Sequence, residues 1–296
     1  MVYLYQMKKL LILAIFLSLF YCKKETEEAR MVITSVYGDV LINENNGVHV
    51  GQIVRQTDIV RTENGKVTLQ SREGATILVK EFTKIRVASL NKKVTNIETV
   101  NGSMLIRVSN KLDTGSEFNI ITPTAVAGVR GTTFFVYSSR ESTIFNSVEG
   151  PIYVGRSSSQ GTIVEKKSVE IGSSGTEKVV NENYIPSVSE VTDIVTLVTI
   201  SKENIDRAAE GDIKGLETES QEKIRKAEKE AIEIIRSPNY SSTRNSEMIK
   251  SAIVLKNGSR IKGNVIYQTS EKIFVLTENR SIQEFEKNTV SSIDFF

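Results

Sequence analysis

A chain of 296 residues has room for one large or two modest domains. With 39% apolar and 25% charged residues it is composed like an ordinary globular protein, and its formal net charge of +2 gives no basic surplus to displace counterions, which excludes nucleic acid as a partner. A single histidine and a single cysteine exclude an internal disulfide and a zinc site built from several imidazoles.

The chain opens with a basic flank, Lys8-Lys9, followed by an apolar run from Leu10 that ends at Cys22. That run is short of the roughly 20 residues a spanning helix needs and has the build of an export signal over residues 1–22. Either Met1 or Met7 can start it, and Met7-Lys8-Lys9 is the more conventional opening. Losing Lys8 and Lys9 with the leader brings the 38 basic residues level with the 36 acidic ones. Cys22, with Leu19 three residues before it, resembles a bacterial lipoprotein acceptor whose thiol takes a diacylglyceryl group. Tyr21 stands where a small residue is expected, so an unmodified leader cysteine is the alternative. The charged stretch at residues 23–30 reads as a solvated tether.

Residues 31–184 show short apolar or alternating runs separated by turn signals such as Asn45-Asn46-Gly47, Glu63-Asn64-Gly65, Arg72-Glu73-Gly74 and Asn101-Gly102. This pattern predicts a mainly β unit, a sandwich, barrel or solenoid of antiparallel strands. Strands are expected at Ser35–Val40, His49–Val54, Thr57–Thr62, Val67–Leu69, Gly74–Val79 and, led by Gly102, Ser103–Val108. Ser168–Gly172 is expected to close the unit. Pro123, without an amide donor, suits a strand start. Gly128 and Gly131 flank Val129-Arg130, and Thr132–Tyr137 is wholly β-branched or aromatic, as in a buried strand. Val148-Glu149-Gly150-Pro151-Ile152 answers it downstream.

The order and spacing of these residues resemble the FecR domain, a β-rich extracytoplasmic module of bacterial envelope regulators. The resemblance rests on Thr122, Pro123, Gly128, Val129, Arg130, Gly131, Thr132, Phe134, Val148 and Gly150. Upstream, Thr57-Asp58 stands where the family usually has Gly-Asp. The resemblance implies a non-catalytic module that senses or relays envelope signals by binding a protein or a small ligand, with no cofactor. Arg130 either presents its guanidinium to a partner's carboxylate or phosphate, or fixes the turn by pairing with an acid such as Asp39 or Asp58.

From Ile185 to Arg236 the pattern becomes helical. Ser187-Val188-Ser189-Glu190 has capping-box spacing. Ile205, Ala209, Ile213, Leu216, Ile224, Ala227, Ala231 and Ile234 fall on one helical face, and Glu219–Lys223 and Glu222–Lys226 are favourably oriented four-apart pairs. Gly211 and Gly215 divide the segment. The face either packs on the β unit or receives a partner. Residues 237–247 read as a linker. Residues 248–296 predict a small SH3- or Sm-like barrel of about five strands, with an Asn257-Gly258 hairpin and an apolar strand at Ile273–Leu276. A unit this small is expected to lean on the helix or on a partner.

No reactive constellation emerges. A Ser-His-Asp triad has to use His49, which sits in a polar turn; Cys22 lies at the membrane end. Asp39, Asp58, Glu73 and Glu81 each adjoin a turn or strand end. Gly128–Gly131 precedes a strand and not a helix, unlike a phosphate loop. The expectation is a lipid-anchored envelope protein, periplasm-facing or surface-exposed and on the outer membrane rather than the inner, with a protein partner or a small ligand. Only Met1–Gln6 precede the basic flank, so direct sigma-factor contact is not expected. The alternative is a structural envelope protein or surface adhesin.

Overall fold

The computed structural model describes residues 29–91, 93–109, 116–155, 162–165, 167–172, 177–237, 251–269, 271–279 and 281–295. The leader, Cys22, the tether up to Glu28 and linker residues 238–247 lie outside them.

Sixteen strands form one hydrogen-bonded array folded into two layers. The first layer begins with β1 (Met31–Tyr37), and the second with β2 (Val40–Ile42). After β3 (Ile53–Val54) come β4 (Ile59–Thr62), β5 (Lys66–Ser71), β6 (Ala75–Val79), β7 (Lys84–Leu90) and the long β8 (Val94–Val108). Then follow β9 (Glu117–Ile121), β10 (Val126–Val129), β11 (Thr133–Ser138), β12 (Ser142–Glu149) and β13 (Pro151–Gly155). β14 (Thr162–Glu165), β15 (Ser168–Gly172) and β16 (Glu177–Asn181) complete the array. The first layer runs β3-β1-β5-β6-β8-β11-β12-β15-β16, and the second β2-β4-β7-β8-β9-β10-β13-β14. All of these pairings are antiparallel except β8 with β9. Ser168–Gly172 does not close the unit as expected, because β16 adds beyond it.

β8 belongs to both layers. Its first half pairs with β7 and β9, and its second half with β6 and β11. The sequence reads Asn101-Gly102 as a turn that starts a strand, but the strand bends there and continues. Gly102 has φ +113°, and a Cβ on it would lie 2.3 Å from Thr83 Oγ1, so the corner has no room for a side chain.

The layers bury one core between them, in which Ile33, Ile77, Met104, Phe134 and Phe145 face Ile85, Ile97, Phe118, Ile120 and Ile152. The second layer leaves its other face wet, so its strands alternate as in an ordinary antiparallel sheet. The first layer is covered on both sides. Phe134 and Val136 enter the sandwich core, while Phe135 joins Leu78 and Leu105 on the opposite face beneath Leu197. This double burial explains why Thr132–Tyr137 shows no polar alternation.

The covering elements are α1 (Val188–Thr196), α2 (Lys202–Ala209) and α3 (Lys214–Arg236). The helical segment therefore packs at home. The expected capping box forms: Ser187 Oγ accepts from Glu190 N, and Ser187 N donates to Glu190 Oε2 at 2.7 Å. Two anchors hold the segment to the sheet. Gln70 exchanges two bonds with the backbone of Ile200, at 2.8 and 2.7 Å. Arg107 donates to the carbonyls of Leu197 and Ile194, free acceptors at the end of α1. The buried face differs from the sequence reading by one residue at two places. Ala208 and Ile235 are buried where Ala209 and Ile234 were expected: Ala208 follows Ile205 by three and Ile235 follows Ala231 by four, spacings that share a helical face as well as those expected.

Glu219 ties α3 to α2. It accepts from Ser201 N, Ser201 Oγ and Asn204 Nδ2, and pairs with Lys223 at 2.7 Å. Burial works to raise its pKa, but these donors win and hold it down at about 2, against 4.5 for a free side chain. A carboxylate depressed in the folded state adds stability above its unfolded pKa and loses it as pH falls toward the folded value. Stability to urea is therefore expected to fall between about pH 4.5 and pH 2, and Glu219→Gln to flatten that slope. An unchanged slope in the variant would remove Glu219 from the account.

The C-terminal strands are β17 (Ser251–Leu255), β18 (Arg260–Gln268), β19 (Lys272–Thr277), β20 (Ile282–Glu286) and β21 (Val290–Phe295). The five expected strands and the Asn257-Gly258 hairpin are present, but the barrel is not closed. The order is β20-β19-β18-β17-β21, with β20 and β21 at opposite ends. A register shift between Val265 and Tyr267 bends β18 and turns Ile266 toward Ile235 of α3. The end of α3 covers a face of the sheet that closure would otherwise have to bury. Arg236 grips Glu284 with two bonds of 2.7 and 2.8 Å, and Tyr37 donates to Gln268 at 2.8 Å while its ring lies beneath the Lys287 ammonium.

Candidate binding site

The residues singled out in the sequence cluster at a corner of the sandwich. The chain changes layer through Arg130-Gly131-Thr132 between β10 and β11, and again through Gly150 between β12 and β13. Gly150 has φ +79°, and a Cβ there would sit 2.5 Å from Gly131 O, so the two crossings touch backbone to backbone. Thr132 Oγ1 donates across them to Pro151 O at 2.7 Å. Thr122 closes the β9–β10 turn by accepting from Ala125 N at 3.0 Å, and its hydroxyl accepts from Thr143 at 2.8 Å. Gly128 leaves room for the Asn119 side chain of the neighbouring strand, whose Oδ1 would lie 3.3 Å from a Cβ. Val129 and Phe134 are core, Val148 is half-buried against the helix-covered face, and Pro123 and Arg130 are exposed. Asp58, one suggested partner of Arg130, closes its own turn by accepting from Asn43 Nδ2 and Arg55 N, each at 2.8 Å.

Thr57 has φ +76°, a left-handed conformation costly for a β-branched residue. The position where the family usually carries glycine keeps the glycine conformation here. Thr57→Gly is therefore expected to raise stability by about 1 kcal/mol; a lowered unfolding midpoint would contradict this.

The remaining sequence candidates do not converge. His49 is exposed in its turn, with Nδ1 2.9 Å from Val50 O, and Asp39, Asp58 and Glu73 stay at separate turns. Among the described residues no group of His, Cys, Asp or Glu is placed to hold a metal ion.

Glu81 differs from the other candidates. It borders a cleft of about 380 Å³ where β1, β5 and β6 meet α1, α3 and β18. Val36, Leu78, Leu197, Ile224, Val265 and Ile266 supply its apolar walls. Its charged floor is Asp193 of α1, which binds Lys66 Nζ through Oδ1 at 3.2 Å and Lys80 Nζ through Oδ2 at 2.6 Å. Lys66 also reaches Glu81 at 3.4 Å, and Lys80 lies over the Phe135 ring. Burial favours a neutral Asp193, but the two ammoniums outweigh it and hold the carboxyl below its usual range. Burial likewise works against a charged Lys66, and Asp193 and Glu81 together raise its pKa. Beside this floor Glu190 Oε1 accepts from Tyr137 and Tyr184, both at 2.6 Å, so the capping residue also docks α1 onto β11. The opposite wall carries Tyr267, whose hydroxyl is buried and has no hydrogen-bond partner among the described residues. Burial and the nearby carboxylates of Glu228 and Asp193 raise its pKa.

Lys66, Lys80, Asp193 and Tyr267 were not read from the sequence as site residues. A signal was present: Lys80 directly follows five buried residues, Ala75–Val79, and Asp193 lies three residues after Glu190 and four before Leu197, on one helical face.

No curated protein matches the chain. Two crystal structures of a candidate anti-sigma factor from Parabacteroides distasonis ATCC 8503, at 1.65 and 2.50 Å resolution, are similar at 14% and 15% identity. They cover 47% and 46% of this chain and 73% and 71% of their own, each with a TM-score of 0.37. The family model described as FecR protein matches residues 58–153, from the turn before β4 through the middle of β13. Residues 58–153 are a FecR domain, set in the middle of the two-layer β array.

Proposed function

We propose that this protein is a non-catalytic component of envelope signalling, held to a membrane by a lipid on Cys22 and acting by binding. The observation that carries the reading is the FecR domain at residues 58–153, whose motif residues build the corner of a β scaffold instead of converging on a reactive centre. The helices and the C-terminal sheet rest on the first layer of that scaffold and meet it at the cleft, where a binding event can be passed between them. Acylation of Cys22 would keep everything after it on the exported side, facing the periplasm or the cell surface and away from direct sigma-factor contact. Among the described residues no helix is long and apolar enough to cross a membrane.

The test is complementation of a deletion strain, read as transcription of the genes whose expression the deletion changes. Wild type is expected to restore that expression and to incorporate labelled palmitate. Cys22→Ala is expected to lose the label and fail to restore expression despite normal folding. Full restoration by the unlabelled variant would refute the lipid anchor, and no transcriptional change on deletion would refute the signalling role.

A further inference from the structure

We propose that the cleft between Lys80, Asp193 and Tyr267 binds a small zwitterion with an apolar side chain, of the dipeptide class. The proposal rests on the binding role above and names the ligand for it. The volume of about 380 Å³ has room for about a dozen water-sized groups and falls in the size range of small-molecule pockets. Its apolar walls suit a hydrocarbon side chain.

The charges select among ligands. Lys66 and Lys80 border the cleft with Asp193, Glu81 and Glu228. A simple anion meets the carboxylates and a simple cation meets the ammoniums, whereas a molecule bearing both charges can answer each set. Hydrogen-bonding capacity points the same way. An ammonium has three donors, and Lys80 pairs with Asp193 and lies over the Phe135 ring. The Tyr267 hydroxyl is buried and unpaired among the described residues, a state that costs free energy until an acceptor or donor arrives. A ligand carboxylate suits Lys80, with the Tyr267 hydroxyl reaching it from the facing wall, and a ligand ammonium suits Glu81 or Glu228.

Occupancy has a mechanical consequence. The lining comes from the sandwich through Val36 and Leu78, from α1 through Leu197, from α3 through Ile224 and from β18 through Ile266. A ligand there ties the C-terminal sheet to the sandwich by contacts of its own, so binding and the position of that sheet become linked.

Calorimetric titration of the full chain with alanyl-leucine, its C-terminal amide and its N-acetyl form tests this. Alanyl-leucine is expected to bind one to one, and each blocked form to lose about tenfold or more in affinity. Tyr267→Phe removes an unpaired hydroxyl, so its unliganded melting temperature should be unchanged or raised while its affinity falls about tenfold. No binding by wild type at millimolar dipeptide overturns the proposal, as does equal affinity for the blocked forms or undiminished binding by Tyr267→Phe. None of these results touches the signalling role, which complementation tests separately.

Discussion

Asp193→Ala is expected to destabilise the protein by about 3–5 kcal/mol, the cost of breaking a buried ion pair from one side. The Asp193 side chain is only 7% exposed, and Lys80 13%, so both charges have largely left water. With the carboxylate gone, Lys80 is left above the Phe135 ring without a counterion, and Lys66 falls back on Glu81 alone. Asp193→Asn should cost less, because an amide oxygen still accepts one bond although it carries no charge. Combining Asp193→Leu with Lys80→Met should recover much of the loss, since replacing a buried pair by apolar groups is often neutral or better. Urea unfolding of these variants decides the matter. A loss under about 1 kcal/mol for Asp193→Ala, as exposed pairs show, would mean that the cluster is wetter than the structure indicates.

The second large effect is at Phe134 and Phe135. Both are 0% exposed, and truncation of either to alanine is expected to cost about 3–5 kcal/mol. Their consequences differ because adjacent strand residues face opposite sides. Phe134→Ala opens a cavity between the two layers and should loosen the sandwich. Phe135→Ala removes the surface on which Leu197 and Tyr137 rest and should release α1. Amide exchange separates the two cases: faster exchange in α1 is expected for Phe135→Ala and not for Phe134→Ala. Identical exchange maps would contradict the two-sided burial of β11.

Much of this architecture is legible in the sequence, and the reasons are local. Ser187 and Glu190 announce their helix because a capping box involves only four consecutive residues. Asn257-Gly258 marks its hairpin because a tight connection needs a left-handed residue; Gly258 supplies it with φ +86°, in a three-residue loop closed by Leu255 N donating to Ser259 O at 2.8 Å. Gly150 stands out because its layer crossing admits no side chain, and Gly131 because it takes φ +63° at the other crossing. The features that escaped are those decided by distant contacts. Gly102 looks like a turn, yet the strand runs on through it because Thr83, far along the chain, holds the bend. The expected barrel stays open because α3 covers the face that closure would bury. The floor of the cleft joins Lys66 and Lys80 to Asp193, more than a hundred residues further on, and no sequence period connects them.

Photocrosslinking in living cells tests the central claim most directly, with the reactive residue placed in turn at Phe82, Tyr153 and Val100, which are 61%, 51% and 51% exposed. The account predicts a discrete adduct with one envelope protein, lost when the signalling phenotype is lost. A sigma factor as the captured partner, or no adduct from any of the three positions while the protein still supports signalling, would contradict it.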